Sequence, residues 1–214
     1  MSKREVSAPN VGHYVQKLEY LVHTLKHKCF DVYYCLENQC FIEEKKTEYI
    51  PMVCFTDLNH KVTETHKKRY GSYVIKLTKD WANRKKLSPV LYLSLHGKLT
   101  QIIKDLYRQC EPNVQQNILS YCKPYRAKSL CKRTRKYDEV VRFYDEREWR
   151  YVPDNYLPYE DDGNSGFIYA NDKLTFEYED VVRVYVPDES AKNKLEMEFP
   201  QLRNKIVISK SAQK

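Results

Sequence analysis

Glycine is scarce in this 214-residue chain, which has only Gly12, Gly71, Gly97, Gly163 and Gly166. Only the last two lie close together, so neither GxGxxG nor GxxxxGK[ST] can be drawn through them. A Rossmann dinucleotide site and a phosphate loop both need clustered glycines for the backbone to approach phosphate, and both are excluded. HExxH, GxSxG and the kinase signatures are absent as well. No apolar run approaches the roughly 20 residues of a membrane-spanning helix. The first ten residues, MSKREVSAPN, are polar and carry no apolar leader. The 7 cysteines are odd in number and never spaced CxxC, a pattern that predicts reduced thiols in a cytoplasmic protein without membrane contact. His23, His27 and Cys29 sit close together, but a closed zinc site needs four ligands, so no metal is expected.

Positive charge is abundant. Lys and Arg number 37 against 29 Asp and Glu, for a net charge of +8. Apolar residues at 42% and aromatics at 13%, with 19 tyrosines, are enough for a real core. The charge is uneven: residues 123–137 hold seven basic side chains and no acid, whereas residues 154–189 hold ten acids against Lys173 and Arg183. A second basic zone runs through Lys67, Lys68 and Arg69 and on to Lys79, Arg84, Lys85 and Lys86. Basic surface interleaved with aromatics suits single-stranded nucleic acid, through phosphate contacts and base stacking. Lys67, Lys68, Arg69, Lys132, Arg133 and Arg135 are the candidate contacts. A solvated basic face and a face that meets an acidic protein partner are the alternatives.

Apolar spacing predicts a helix over residues 15–28, and two consecutive helices near residues 99–107 and 112–122, the second opening at Pro112. Strand-like runs occur at 49–55, 71–77, 89–93, 140–144, 167–170, 174–178, 181–186 and 205–209, and a helix capped by Ser190 is expected over 190–199. Strict α-β alternation is missing. The expectation is one α+β domain over 1–214 with a mainly antiparallel, split or twisted sheet and a helical-pair insertion with a basic tail over 98–136.

Two stretches look chemical. In FYDEREWRYVP, charged residues alternate with Tyr144, Trp149 and Tyr151. Read as a strand, it points Glu146, Glu148 and Arg150 to one face. Two carboxylates and a guanidinium on one face are costly to bury unless they pair or serve a ligand. Either a solvated edge ladder or a cleft fits the pattern. In the second stretch, residues 50–81, a strand ends at Cys54-Phe55-Thr56-Asp57 and another opens at Tyr70-Gly71-Ser72-Tyr73. Polar strand ends with tyrosines aimed across them are common in ligand clefts, and half-buried packing tyrosines are the plainer alternative.

The string CFTD…H…YGSYVIKLTKDW…PVLYL followed by FYDEREWRYVP resembles the bacterial abortive phage-resistance family AbiGi, from Gly12 to about Val186. That family carries the label antitoxin. The order of elements also resembles the ADP-ribosyltransferase fold of toxins that modify nucleic acid. The second resemblance implies an NAD-dependent mono-ADP-ribosyltransferase effector of phage defence, with NAD as substrate, RNA as the favoured acceptor, and a cognate antitoxin or chaperone as partner. By that resemblance His13 holds the cofactor ribose, Tyr70 or Tyr73 stacks on nicotinamide, and Glu148 is the catalytic acid with Glu146 as second choice. Tyr14, Thr56 and Arg150 join the cofactor contacts. The position two residues after the early histidine, frequently Thr or Ser in those toxins, is Val15 here. The resemblance to AbiGi also admits a non-catalytic antitoxin or sensor.

Overall fold

β1 (Ser7–Val15) runs into α1 (Leu18–His27) through a short bend, and α1 stops where Lys28 turns left-handed at φ 50°. β2 (Cys29–Asn38) and β3 (Thr47–Leu58) follow in a computed structural model whose described residues are 7–59, 64–130, 137–154, 156–157, 159 and 169–209. α2 (Glu64–Tyr70) leads through Gly71 to β4 (Tyr73–Thr78). Gly71 sits at φ +113°, where a Cβ would strike the Val15 carbonyl, so this corner requires glycine. Thr78 caps α3 (Lys79–Arg84) by accepting from the Trp81 amide at 3.1 Å. The expected strand at 89–93 is broken at Val90 into β5 (Ser88–Pro89) and β6 (Leu91–Leu93).

The two consecutive helices are α4 (Lys98–Gln109) and α5 (Pro112–Tyr121). β7 (Cys122–Pro124), β8 (Ala127–Leu130) and β9 (Tyr137–Val141) come next. FYDEREWRYVP is not one strand. Residues Phe143–Glu146 form a 3-10 turn, Arg147 adopts φ 43°, and only Glu148–Tyr151 is strand, β10. β11 (Tyr169–Thr175) and β12 (Val181–Val186) precede α6 (Glu189–Glu198). The cap of α6 is Asp188 rather than Ser190, because the Asp188 carboxylate accepts the Ala191 amide at 2.9 Å. A 3-10 turn (Pro200–Lys205) then delivers β13 (Ile206–Ile208). The architecture is mixed α+β with a mostly antiparallel open sheet.

The chain divides into two compact units. The first comprises residues 1–30, 54–87 and 173–214. Its sheet pairs β1 antiparallel with both the end of β3 and β4, β4 antiparallel with β12, and β12 parallel with β13. Phe30, Phe55, Trp81 and Phe176 pack ring to ring in its core. The Trp81 indole N–H is satisfied by the Thr175 carbonyl at 3.1 Å.

The second unit comprises residues 31–53 and 88–172. Here β2 pairs antiparallel with the first half of β3, β5 antiparallel with β10, β6 parallel with β7, and β8 antiparallel with β9. Ile103 and Tyr107 of α4 and Ile118 of α5 close over Phe41, Leu93 and Cys122. The apolar stripe of α4 is wider than this core uses: Leu99, Ile102 and Leu106 are exposed.

Candidate functional site

The densest concentration of charge among the described residues lies inside the second unit. Within β10 alternate side chains turn inward, so Glu148 and Arg150 share the buried face while Trp149 and Tyr151 are half-buried. Glu146 reaches the same place from the 3-10 turn, because the left-handed Arg147 reverses the chain between them. Lys123 arrives from β7 and Glu37 from β2. Arg150 has no exposed surface at all. These groups form an ion cluster rather than a solvated ladder, which settles the edge-ladder alternative against itself.

The donors are nearly all used. Arg150 Nε donates to Glu148 Oε1 at 2.8 Å, and its terminal nitrogens donate to Glu148 Oε2 (3.1 Å), Glu37 Oε2 (2.7 Å) and the Ser120 carbonyl (2.8 Å). This is the bidentate fork geometry that makes arginine the strongest partner for a carboxylate. Lys123 Nζ donates to Glu146 Oε2 at 2.9 Å and Glu148 Oε2 at 3.0 Å, and lies 3.8 Å from Glu37 Oε2. It also sits 4.6 Å from the centre of the Phe143 ring. Burial alone would push the Lys123 ammonium down, but the carboxylates of Glu146, Glu148 and Glu37 outweigh it and hold the group well above its usual value. Tyr92 completes the cluster by accepting the Glu148 amide at 2.9 Å, and burial pushes its phenol well up. Among the described residues, three carboxylates (Glu37, Glu146 and Glu148) face two cations, Lys123 and Arg150.

Both carboxylate oxygens of Glu148 are therefore occupied by Lys123 and Arg150. Sequence reading picked out Glu146, Glu148 and Arg150 but missed Lys123 and Glu37. Lys123 was read as part of a basic surface run, whereas it is buried. The available signal was its place between Cys122 and Pro124 in an apolar stretch. Glu37 lies about a hundred residues upstream, and no local pattern ties it to the others.

The remaining candidates belong to the first unit. His13 points into the aromatic core, 4.9 Å from Phe30 and 5.5 Å from Phe55 between ring centres. Its Nδ1 donates to the Cys54 carbonyl at 2.9 Å. Burial lowers its pKa, with the carbonyl bond acting in the opposite sense, so the ring is neutral. Tyr14 is the next residue on β1 and takes the opposite face, where it meets His66 edge-on at 4.6 Å. Tyr70 joins that group, 4.5 Å from His66. Tyr73 lies opposite Val15 in the ladder and so shares the His13 face, and burial raises its phenol pKa. Thr56 is buried beside β1 and its hydroxyl accepts the Leu58 amide at 3.4 Å. The structure thus separates His13 and Tyr73 from Tyr14 and Tyr70 by the thickness of a sheet.

Much of the second basic zone is spent on internal contacts. Lys67 donates to Ser209 Oγ at 2.7 Å, Lys79 pairs with Asp57 at 3.2 Å, Arg84 with Asp180 at 2.6 Å, and Lys85 donates to Thr175 at 2.8 Å. Lys68 is exposed on α2, and Arg69 is half-buried. Lys132, Arg133 and Arg135 lie outside the described residues, as does most of the acidic loop 154–165. No group of three or more His, Cys, Asp or Glu among the described residues is placed to hold a metal. None of the described helices is long and apolar enough to cross a membrane.

No solved structure matches the chain, so the resemblance to the ADP-ribosyltransferase fold gains no support. A curated relative from Lactococcus lactis subsp. cremoris, named "Abortive phage resistance protein AbiGi", is 26% identical over 155 residues. That alignment covers 62% of this chain and 61% of the relative, so the chain spans about three fifths of the relative's length. A family profile described as "Putative abortive phage resistance protein AbiGi, antitoxin" matches residues 28–186. The matched span takes in both segments singled out as chemical and every member of the ion cluster, and it covers well over half the chain. On that match the chain belongs to the AbiGi family of abortive phage resistance proteins.

Proposed function

We propose that this protein is the non-catalytic antitoxin member of an abortive-infection pair, which holds a toxin partner and does not process NAD. One observation carries the reading: the carboxylate best placed by sequence to act as an acid, Glu148, has both oxygens bound by its own chain. Cleavage of a nicotinamide–ribose bond builds positive charge on the sugar, and a carboxylate stabilises that charge only if it faces it. Glu148 instead faces Lys123 and Arg150. Releasing it would break its buried, charged hydrogen bonds to both Lys123 and Arg150, a cost on the order of several kcal/mol. The family description as an antitoxin points the same way.

The test is expression and incubation of the wild-type chain. Induced alone, it leaves growth unchanged. Induced with its cognate toxin, it restores growth and co-purifies with that toxin. Incubated with NAD and cellular RNA, DNA and protein, it releases no nicotinamide. Growth arrest by the chain alone, or nicotinamide release, overturns the reading and restores the transferase with Glu148 as its acid.

A further inference from the structure

The second unit carries a feature that the antitoxin reading does not use. Tyr125 and Tyr144 are 38% and 40% exposed, and their rings stack at 5.4 Å with a 32° tilt. The Arg147 guanidinium lies 5.3 Å over the Tyr144 ring, and Tyr92 meets Tyr144 edge-on at 5.5 Å. The pile is built by local structure. The β8–β9 register sets Ala127 opposite Val141 and Lys128 opposite Val140, and beyond the ladder, one residue out of that register, the Tyr144 amide donates to the Tyr125 carbonyl at 3.4 Å.

Arg142 is tied to Asp145 at 2.7 Å and to the Tyr125 hydroxyl, which leaves Arg126 and Lys128 exposed beside the rings. Arg126, Lys128, Arg142 and Arg147 stand against Asp145 and Glu139, so the patch is net basic. Exposed phenol faces flanked by arginines at the edges combine the two interactions that single-stranded nucleic acid offers, π-faces and closely spaced phosphates. Protein interfaces share the enrichment in Tyr and Arg but are depleted in Lys, so the net basic charge with Lys128 exposed beside the rings favours a phosphate chain.

We propose that the Tyr125–Tyr144 pile, with Arg126, Lys128 and Arg142, binds single-stranded nucleic acid, a base stacking on the tyrosines and phosphates meeting the basic side chains. The pile shares Tyr92 with the ion cluster but uses none of its charged groups, and it can stand or fall without the antitoxin reading.

The test is fluorescence anisotropy of the full-length protein with fluorescein-labelled U12 and dT12. Both oligonucleotides should bind, because neither stacking nor phosphate contact needs the 2′-hydroxyl. The logarithm of affinity should fall against log salt with a slope of about −2 to −3, as for three or four phosphates on a single strand. Tyr125→Ala and Tyr144→Ala should each weaken binding about tenfold or more, the scale of one lost base stack. Arg126→Glu should weaken it and flatten the slope, whereas Lys68→Glu should leave it unchanged. Circular dichroism melting of each variant checks that the fold survives. No binding at 100-fold the labelled concentration in low salt, equal affinity for a duplex of the same length, or affinity untouched by both tyrosine variants overturns the proposal. The last result would assign any binding to other basic residues by charge alone.

Discussion

Replacing Lys123 by Met tests the ion cluster directly. The side chain is buried and of similar length, so the change removes the charge while keeping most of the volume. It deletes hydrogen bonds of 2.9 Å to Glu146 and 3.0 Å to Glu148 and the 3.8 Å approach to Glu37. Among the described residues, Arg150 is then the one cation against three carboxylates. Breaking a buried ion pair from one side costs about 3–5 kcal/mol, because the partner keeps its desolvation penalty and loses its compensation. Against a total stability of about 5–15 kcal/mol, that is a large fraction. A chain of this size loses about 2–4 °C per kcal/mol, so the melting temperature should fall by roughly 6–20 °C. Urea denaturation at pH 7 gives the free energy. The double variant Lys123→Met/Glu146→Gln should recover part of the loss, with a coupling of about 1 kcal/mol or more for groups in direct contact. In the native protein the Lys123 pKa is raised, so its contribution is fully present below the unfolded value and is lost only as pH climbs past the folded one. A loss under about 1 kcal/mol, or no coupling to Glu146, would mean that water or rearrangement compensates the cluster and that it is not the anchor described above.

Lys76 offers the opposite sign. It is 2% exposed, folds across Gly12 to donate to the Leu58 carbonyl at 2.9 Å, and burial lowers its pKa from 10.5 to about 8. The unfolded chain therefore binds more protons between those two values, and stability should rise with pH across that window. Lys76→Met should stabilise by about 1–2 kcal/mol at pH 7, less than the full shift implies because the carbonyl bond is lost, and the gain should fade towards pH 10; a destabilised variant at pH 7 would contradict this. Gly71→Ala should destabilise by more than about 2 kcal/mol in the same assay, since it combines a left-handed φ with a collision at the Val15 carbonyl. Ile102→Lys on the exposed stripe of α4 should leave stability within about 0.5 kcal/mol, as for a surface position; a larger loss would show that the stripe is covered within the chain.

How far the sequence could be read depended on how local each feature is. α1, α4 and α5 were legible because their apolar positions recur at helical spacing, and β3, β4 and β12 because their β-branched runs end at recognisable breaks. The break inside FYDEREWRYVP was not legible. Alternation of charged and aromatic residues suggested one strand, but Arg147 adopts a left-handed conformation that nothing in its side chain announces. The helix cap is Asp188 rather than Ser190 for a similar reason, since two competent residues stand two positions apart and hydrogen-bond geometry chose between them.

Composition and short-range pattern were sufficient for the mixed α+β class, the exclusion of glycine-rich phosphate sites, and the singling out of Glu146, Glu148 and Arg150 as a costly group. Each of these depends on residues within one turn or one strand of each other. Tertiary structure alone decided what satisfies that group. Lys123 and Glu37 come to it from distant strands, and only three-dimensional packing brings a buried ammonium within 3.0 Å of two carboxylates. It also decided what the two faces of β1 meet: His13 packs on Phe30 and Tyr14 on His66, partners that strand alternation by itself does not name.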